Sequence, residues 1–234
     1  MRTLVNLRLW TIIAILLVGV SACSKDEDSV NVYVQNPYII QNSNGTFTPQ
    51  VRLFSYDLAS ATLNVAGQRY SFQTLENSYF IWELEDPMFL PQLDSIPAGY
   101  YALTATNKGG KTEVFSVGFP EAKKKMGNIE LVQFEYAVDS NKIYVELADS
   151  VQNATDYYLM IKEPIPNTSS YAMWVPSVKL NLNKESNWRC EVSLEGASAG
   201  TYYFAVGANY GSVIKFSTEN ITITIPETST GTTN

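Results

Sequence analysis

The chain has 234 residues, is 45% hydrophobic and 17% charged, and carries a formal net charge of −7 without a single histidine. So acidic a chain repels nucleic acid, whose binding rests on Lys and Arg neutralising phosphates, so nucleic-acid partners are excluded. The missing imidazole also removes Ser-His-Asp and Cys-His catalysis and histidine ligation of metals.

In chain order the first element is a leader. Arg2 and Arg8 precede the apolar run Leu9 to Val20, which gives way to Ser21, Ala22 and Cys23. This is a basic n-region, an h-region and a small-residue cleavage site. The run falls short of the ~20 apolar residues that a spanning helix needs. Val20-Ser21-Ala22-Cys23 resembles the lipobox of bacterial lipoproteins, and the polar, acidic Ser24 to Ser29 looks like the tether that sends Bacteroidota lipoproteins to the outside of the outer membrane. The resemblance implies that residues 1–22 are removed, that Cys23 is acylated, and that 23–29 is a tether. It also implies a protein lipid-anchored to the outer membrane and facing the cell exterior, with the membrane as a partner through Cys23. Each buried acyl methylene contributes about 0.8 kcal/mol to such anchoring.

Beyond the tether, short runs rich in Val, Ile, Thr, Tyr and Phe alternate with Gly, Asn, Asp and Pro, the pattern of strands and turns. Val30 to Gln35 and Gln50 to Tyr56 are strands on either side of the turn-rich Asn42 to Gly45. Ala61 to Val65 and Gln68 to Gln73 flank Ala66-Gly67 as a hairpin. Ser78 to Glu85 alternates, with Phe80, Trp82 and Leu84 on one face. No segment sustains a 3.6-residue period, so the class is all-β.

An internal repeat divides the chain. Ala98-Gly99-Tyr100-Tyr101 and the residues to Gly109 recur as Ala199-Gly200-Thr201-Tyr202-Tyr203 and the residues to Gly211, with Thr201 read as an extra residue after the glycine. One tyrosine of each pair is expected to enter a core with its hydroxyl on backbone at the sandwich corner, since strand side chains alternate. The copies stand about one sandwich apart, such domains running to roughly 100 residues. The pattern Gly-(Thr)-Tyr-Tyr…Asn…Gly resembles the F strand and F–G turn of bacterial Ig-like and fibronectin type III-like modules. That implies two tandem Ig-like antiparallel β-sandwiches, at 30–120 and 129–226. The polar segment 121–128, with Lys123, Lys124 and Lys125, reads as a solvated linker. In the second half, Ile129 to Val138, Lys142 to Leu147, Asp156 to Lys162, Val178 to Leu182, Trp188 to Leu194 and Ile221 to Ile225 are strands. The Thr/Ser-rich 227–234 reads as a disordered tail.

Sites of chemistry are few. Cys190, in a strand and with no histidine to activate it, reads as a core residue. Glu83 and Glu85 share a strand face, Asp139 and Asp149 sit at strand ends, and no motif marks an acid/base pair. No metal, phosphate or cofactor spacing is present, so no catalytic residue, metal or cofactor is assigned. Trp82 and Trp188 read as core strand residues. Tyr171 and Trp174, in the proline-rich segment 163–176, are the candidate ligand-binding pair, because aromatic faces stack on sugars; the competing reading is a flap over an open sandwich edge. Asp28-Ser29-Val30, Asp94-Ser95-Ile96 and Asp149-Ser150-Val151 look like the Bacteroidota O-glycosylation pattern, which places sugar on Ser29, Ser95 and Ser150. The expected function is a non-catalytic binding or spacer module, its partner a polysaccharide or an outer-membrane protein, serving glycan capture beside an uptake complex. The alternatives are a structural or adhesive protein-binding subunit and a carboxylate-based glycoside hydrolase.

Overall fold

The structure is a computed structural model that describes residues 29–74, 80–84, 90–162 and 175–225, and every regular element among them is a strand. The first seven are β1 (Tyr33–Gln41), β2 (Phe47–Phe54), β3 (Leu58–Val65), β4 (Gln68–Thr74), β5 (Ile81–Leu84), β6 (Gly99–Asn107) and β7 (Thr112–Phe119). The next seven are β8 (Leu131–Ala137), β9 (Lys142–Leu147), β10 (Asp156–Lys162), β11 (Val175–Leu180), β12 (Arg189–Ser193), β13 (Gly200–Tyr210) and β14 (Val213–Ile225). Strand order repeats between the halves. β1-β2-β5 faces β4-β3-β6-β7 in the first, and β8-β9-β12 faces β11-β10-β13-β14 in the second. Two facing antiparallel sheets of this kind are the Ig-like sandwich.

Alternation along the strands builds each core. Val51 and Leu53 of β2 meet Leu63 of β3 and Leu103 of β6, all fully buried. Ile143, Val145, Leu159 and Val206 fill the second core in the same way. Trp82 is buried in the first sandwich, as its place on the alternating face predicts. Trp188 departs from expectation: it lies in the turn ahead of β12 with φ of 58°, and its ring meets Tyr157 edge-on, with centroids 6.1 Å apart. The run Asn183-Lys184-Glu185-Ser186-Asn187 supplies the turn chemistry that breaks the strand before it; Asn183 and Ser186 bond each other's backbone.

The tyrosine corners form in both halves. Tyr101 donates its hydroxyl to the carbonyl of Pro97, and Tyr202 donates to the carbonyl of Ser198 at 3.0 Å. Each ring lies against the core, Tyr101 beside Phe119 and Tyr202 beside Phe204. This corrects the repeat register. The corner tyrosine is two residues after the glycine in both copies, so Thr201 stands in the place of Tyr100 and nothing is inserted. Strand alternation leaves no other choice, because only that position points inward. Tyr100, facing out, is 84% exposed.

The Ala66-Gly67 hairpin is present, with φ of 49° and 82° at its two turn residues and Val65 paired to Gln68. Both positive angles are what a two-residue turn of the right twist needs. Ala66 holds its angle against its own Cβ.

The segment between β7 and β8 is not the solvated linker expected of 121–128. Lys123, Lys124 and Lys125 are exposed, but Ala122 and Met126 are buried. The side chain of Gln41, at the end of β1, grips Met126 on both sides: its Nε2 donates to the Met126 carbonyl at 2.9 Å, and its Oε1 accepts from the Met126 N–H at 2.7 Å. Beside it β1 pairs in parallel with β14, matching Ile39 to Val213 and Ile40 to Ile214. This parallel contact departs from the all-antiparallel expectation. With β4 pairing to both β3 and β5, it joins eleven strands into one hydrogen-bonded run through both halves.

Candidate functional site

The residues singled out from sequence scatter. Cys23, Tyr171 and Trp174 lie outside the described residues. Lys162 closes β10 and Val175 opens β11, both at the end of the second sandwich away from the β1–β14 pairing. Ser29 is half-buried, while Ser95 and Ser150 are exposed. Ser150 follows Asp149, whose carboxylate accepts the Ser150 N–H at 2.6 Å.

Of the carboxylates singled out, Glu83, Asp139 and Asp149 are among the described residues. The Glu83 carboxylate accepts from Arg52 Nε at 2.8 Å, one half-buried ion pair across β2 and β5. Glu85 lies outside the described residues. Asp139 and Asp149 lie beyond opposite ends of β9, whose six residues span roughly 20 Å at ~3.4 Å each. A two-carboxylate glycosidase holds its pair within ~10 Å. Among the described residues no group of three His, Cys, Asp or Glu is placed to hold a metal ion. Cys190 is a free, half-buried thiol in β12, and burial pushes it up to about 11, far from a reactive thiolate.

Two features stand out instead. One is the junction. Lys215 of β14 is 6% exposed, and its Nζ donates to Asn128 Oδ1 at 2.9 Å, with the Met126 carbonyl at 3.5 Å. Desolvation holds this ammonium below its ordinary pKa. On the outer face of the joined sheet, Met160, Ala205 and Ile214 are buried together and Tyr38 of β1 packs against them. Gly207 permits this, since a Cβ there would stand 2.8 Å from Met160. Lys124 lies over the ring of Tyr210, 4.7 Å from its centre.

The other feature is an aromatic row at the opposite end of the first sandwich. Tyr33 opens β1 and faces Phe54, which ends β2. Their rings are 6.1 Å apart, Phe54 stands 6.2 Å from Phe80, and Phe80 stands 5.1 Å from Tyr56. Tyr33 is 67% and Tyr56 74% exposed. The turn carrying Lys108 closes one side: its Nζ donates to the Tyr56 carbonyl at 2.8 Å and its N–H to the Asp57 carbonyl at 2.7 Å. Sequence reasoning missed this row. Tyr33 and Phe54 are outward positions on neighbouring strands, a signal that appears only when β1 and β2 are paired in register.

No protein-family model and no curated protein matches the chain. Among solved structures it is similar to dimeric latent PorU from Porphyromonas gingivalis, at 12% identity and a TM-score of 0.34, covering 86% of this chain. It spans only 21% of that PorU chain. It is also similar to titin domains A168–A170, at 10% identity and a TM-score of 0.25, covering 85% of this chain and 67% of the other. The BSP domain of a biofilm-associated protein shows 12% identity and a TM-score of 0.24, covering 84% and 30%. All three TM-scores are low, and the Ig-like assignment rests on strand order and the tyrosine corners.

Proposed function

We propose that this chain is a surface lipoprotein, held to the outer membrane of a Bacteroidota cell by acyl chains on Cys23, whose two sandwiches act together as a non-catalytic spacer and binding module. The observation that carries the reading is the junction. Independent domains on a loose linker have no use for a buried glutamine that pairs with linker backbone, nor for a parallel pairing of β1 with β14. Such a junction fixes the angle between the halves and holds the far end of the second sandwich at a set distance from the anchor. The commitment of Glu83 to Arg52 and the separation of Asp139 from Asp149 favour binding over catalysis.

The partner put first is a polysaccharide captured beside an outer-membrane uptake complex. A second reading, an adhesive subunit that binds protein through sheet edges, draws on β7 and β11 at the two ends of the long sheet. Val114 on β7 is 67% exposed and Val178 on β11 is 39% exposed, and open edges of this kind accept added strands. Retention of the lipidated protein on immobilised polysaccharides, released by the matching soluble sugar, supports capture. Cross-linked outer-membrane proteins recovered equally with and without sugar support the adhesive reading. Export is tested by fractionation: Cys23→Ser is expected to leave the outer-membrane fraction, and a variant that stays there contradicts the anchor.

A further inference from the structure

The aromatic row and the anchor share one end of the molecule. Val30, three residues before Tyr33 opens β1, is 4% exposed and sits in the first core. The described chain is therefore pinned where Tyr33, Phe54, Tyr56 and Phe80 lie. The junction with the second sandwich is at the other end of the same strand pair, where Gln41 meets Phe47. Cys23 is seven residue steps before Val30, so whatever path the tether takes, it reaches no more than roughly 25 Å. An acylated Cys23 would then hold this end, and not the second sandwich, against the bilayer.

We infer that the aromatic row is a lipid-contacting surface, with Tyr33 and Tyr56 seated at the headgroup level of the membrane that bears the anchor. The inference rests on the reading that Cys23 is acylated. Tyrosine suits the place because its ring is apolar and its hydroxyl stays hydrated, which is why such rings gather at membrane interfaces. Acyl chains on Cys23 hold the protein at one point, and a second contact on the same end adds to that anchoring and sets its tilt. The row is aromatic and carries little net charge, with Lys108 engaged by the Tyr56 carbonyl and Asp57 beside it. Its lipid contact is accordingly insensitive to salt.

Tyrosine nitration mapped by peptide mass tests this with an internal control, because Tyr100 is 84% exposed at the junction end of the first sandwich. The mature acylated chain is placed on vesicles of phosphatidylethanolamine and phosphatidylglycerol and compared with the unacylated Cys23→Ser mature chain in solution. Tyr33 and Tyr56 are expected to react at least fivefold more slowly on vesicles, unchanged by high salt, with Tyr100 altered less than twofold. Equal rates at all three tyrosines overturn the inference. Intact mass reports acylation separately. If Cys23 carries no lipid, protection of Tyr33 and Tyr56 when the unacylated chain meets excess vesicles still upholds the lipid surface, and its absence there rejects it. Protection by soluble polysaccharide but not by vesicles makes the row a sugar platform and rejects the lipid assignment.

Discussion

The two sandwiches share strand order and a tyrosine corner, yet their corresponding outer faces differ. On β8-β9-β12, cross-strand ion pairs face water: Arg189 NH2 meets Glu146 at 2.8 Å and Lys142 Nζ meets Glu191 at 2.6 Å. On β1-β2-β5 the matching face has one such pair, Arg52 with Glu83, between an aromatic row at one end and Tyr38, which packs against the second half, at the other. The hairpins differ too. β13 and β14 run 11 and 13 residues where β6 and β7 run 9 and 8. In the longer hairpin, the first residues of β14 pair with β1. The shared pattern fixes only the cores, while the faces and the added strand length decide what each half meets.

The junction, which has no counterpart within either sandwich, is the most sensitive point. Gln41→Leu leaves the buried Met126 N–H without its acceptor and weakens the pairing of its carbonyl; about 2–3 kcal/mol of stability is expected to be lost, read from denaturant midpoints. The corners, by contrast, are common to both halves. Tyr101→Phe and Tyr202→Phe each remove one corner hydrogen bond, and each is expected to cost about 1 kcal/mol. Clearly unequal losses would mean that the halves are not equivalent at this position. Smaller again, Ala66→Asn is expected to stabilise by about 0.5–1 kcal/mol, because Asn adopts the left-handed conformation more readily.

The smallest effect is electrostatic. Lys215 is held below its ordinary pKa by burial, so the unfolded chain binds more protons there than the folded one. Its contribution therefore rises with pH, beginning at the depressed pKa and complete once pH passes the ordinary lysine value of 10.5. Tyr38 acts oppositely: burial raises its pKa, so stability falls above pH 10. Stability curves of the wild type and Lys215→Met separate the two. The substitution is expected to flatten the alkaline rise, and parallel curves would show that Lys215 does not titrate there.

Local chemistry explains what the sequence made legible. The Ala66-Gly67 hairpin, the inward Trp82 and the two corners follow from turn residues and a period of two, each readable within a few positions. The junction follows from Gln41 meeting Met126, 85 residues away, and nothing near Gln41 marks its side chain as a partner for linker backbone. Ala122 and Met126 are buried within a segment whose lysines made it read as solvated, and only two inward positions in a polar run carried that signal. Trp188 took a strand assignment because aromatic residues favour strands, but the Asn-rich turn before it prevailed. The candidate pair Tyr171 and Trp174 lies outside the described residues, whereas the aromatic row needed strand register to emerge.

The proposed fixed spacer requires that the two halves move as one body. Residual dipolar couplings of backbone amides, measured for the mature chain in a dilute aligned medium, test it directly. The fixed junction predicts that couplings from β1–β7 and from β8–β14 fit one alignment tensor in the arrangement set by the β1–β14 pairing. Two tensors of different magnitude would show that the sandwiches reorient independently, and the fixed spacer would have to be given up.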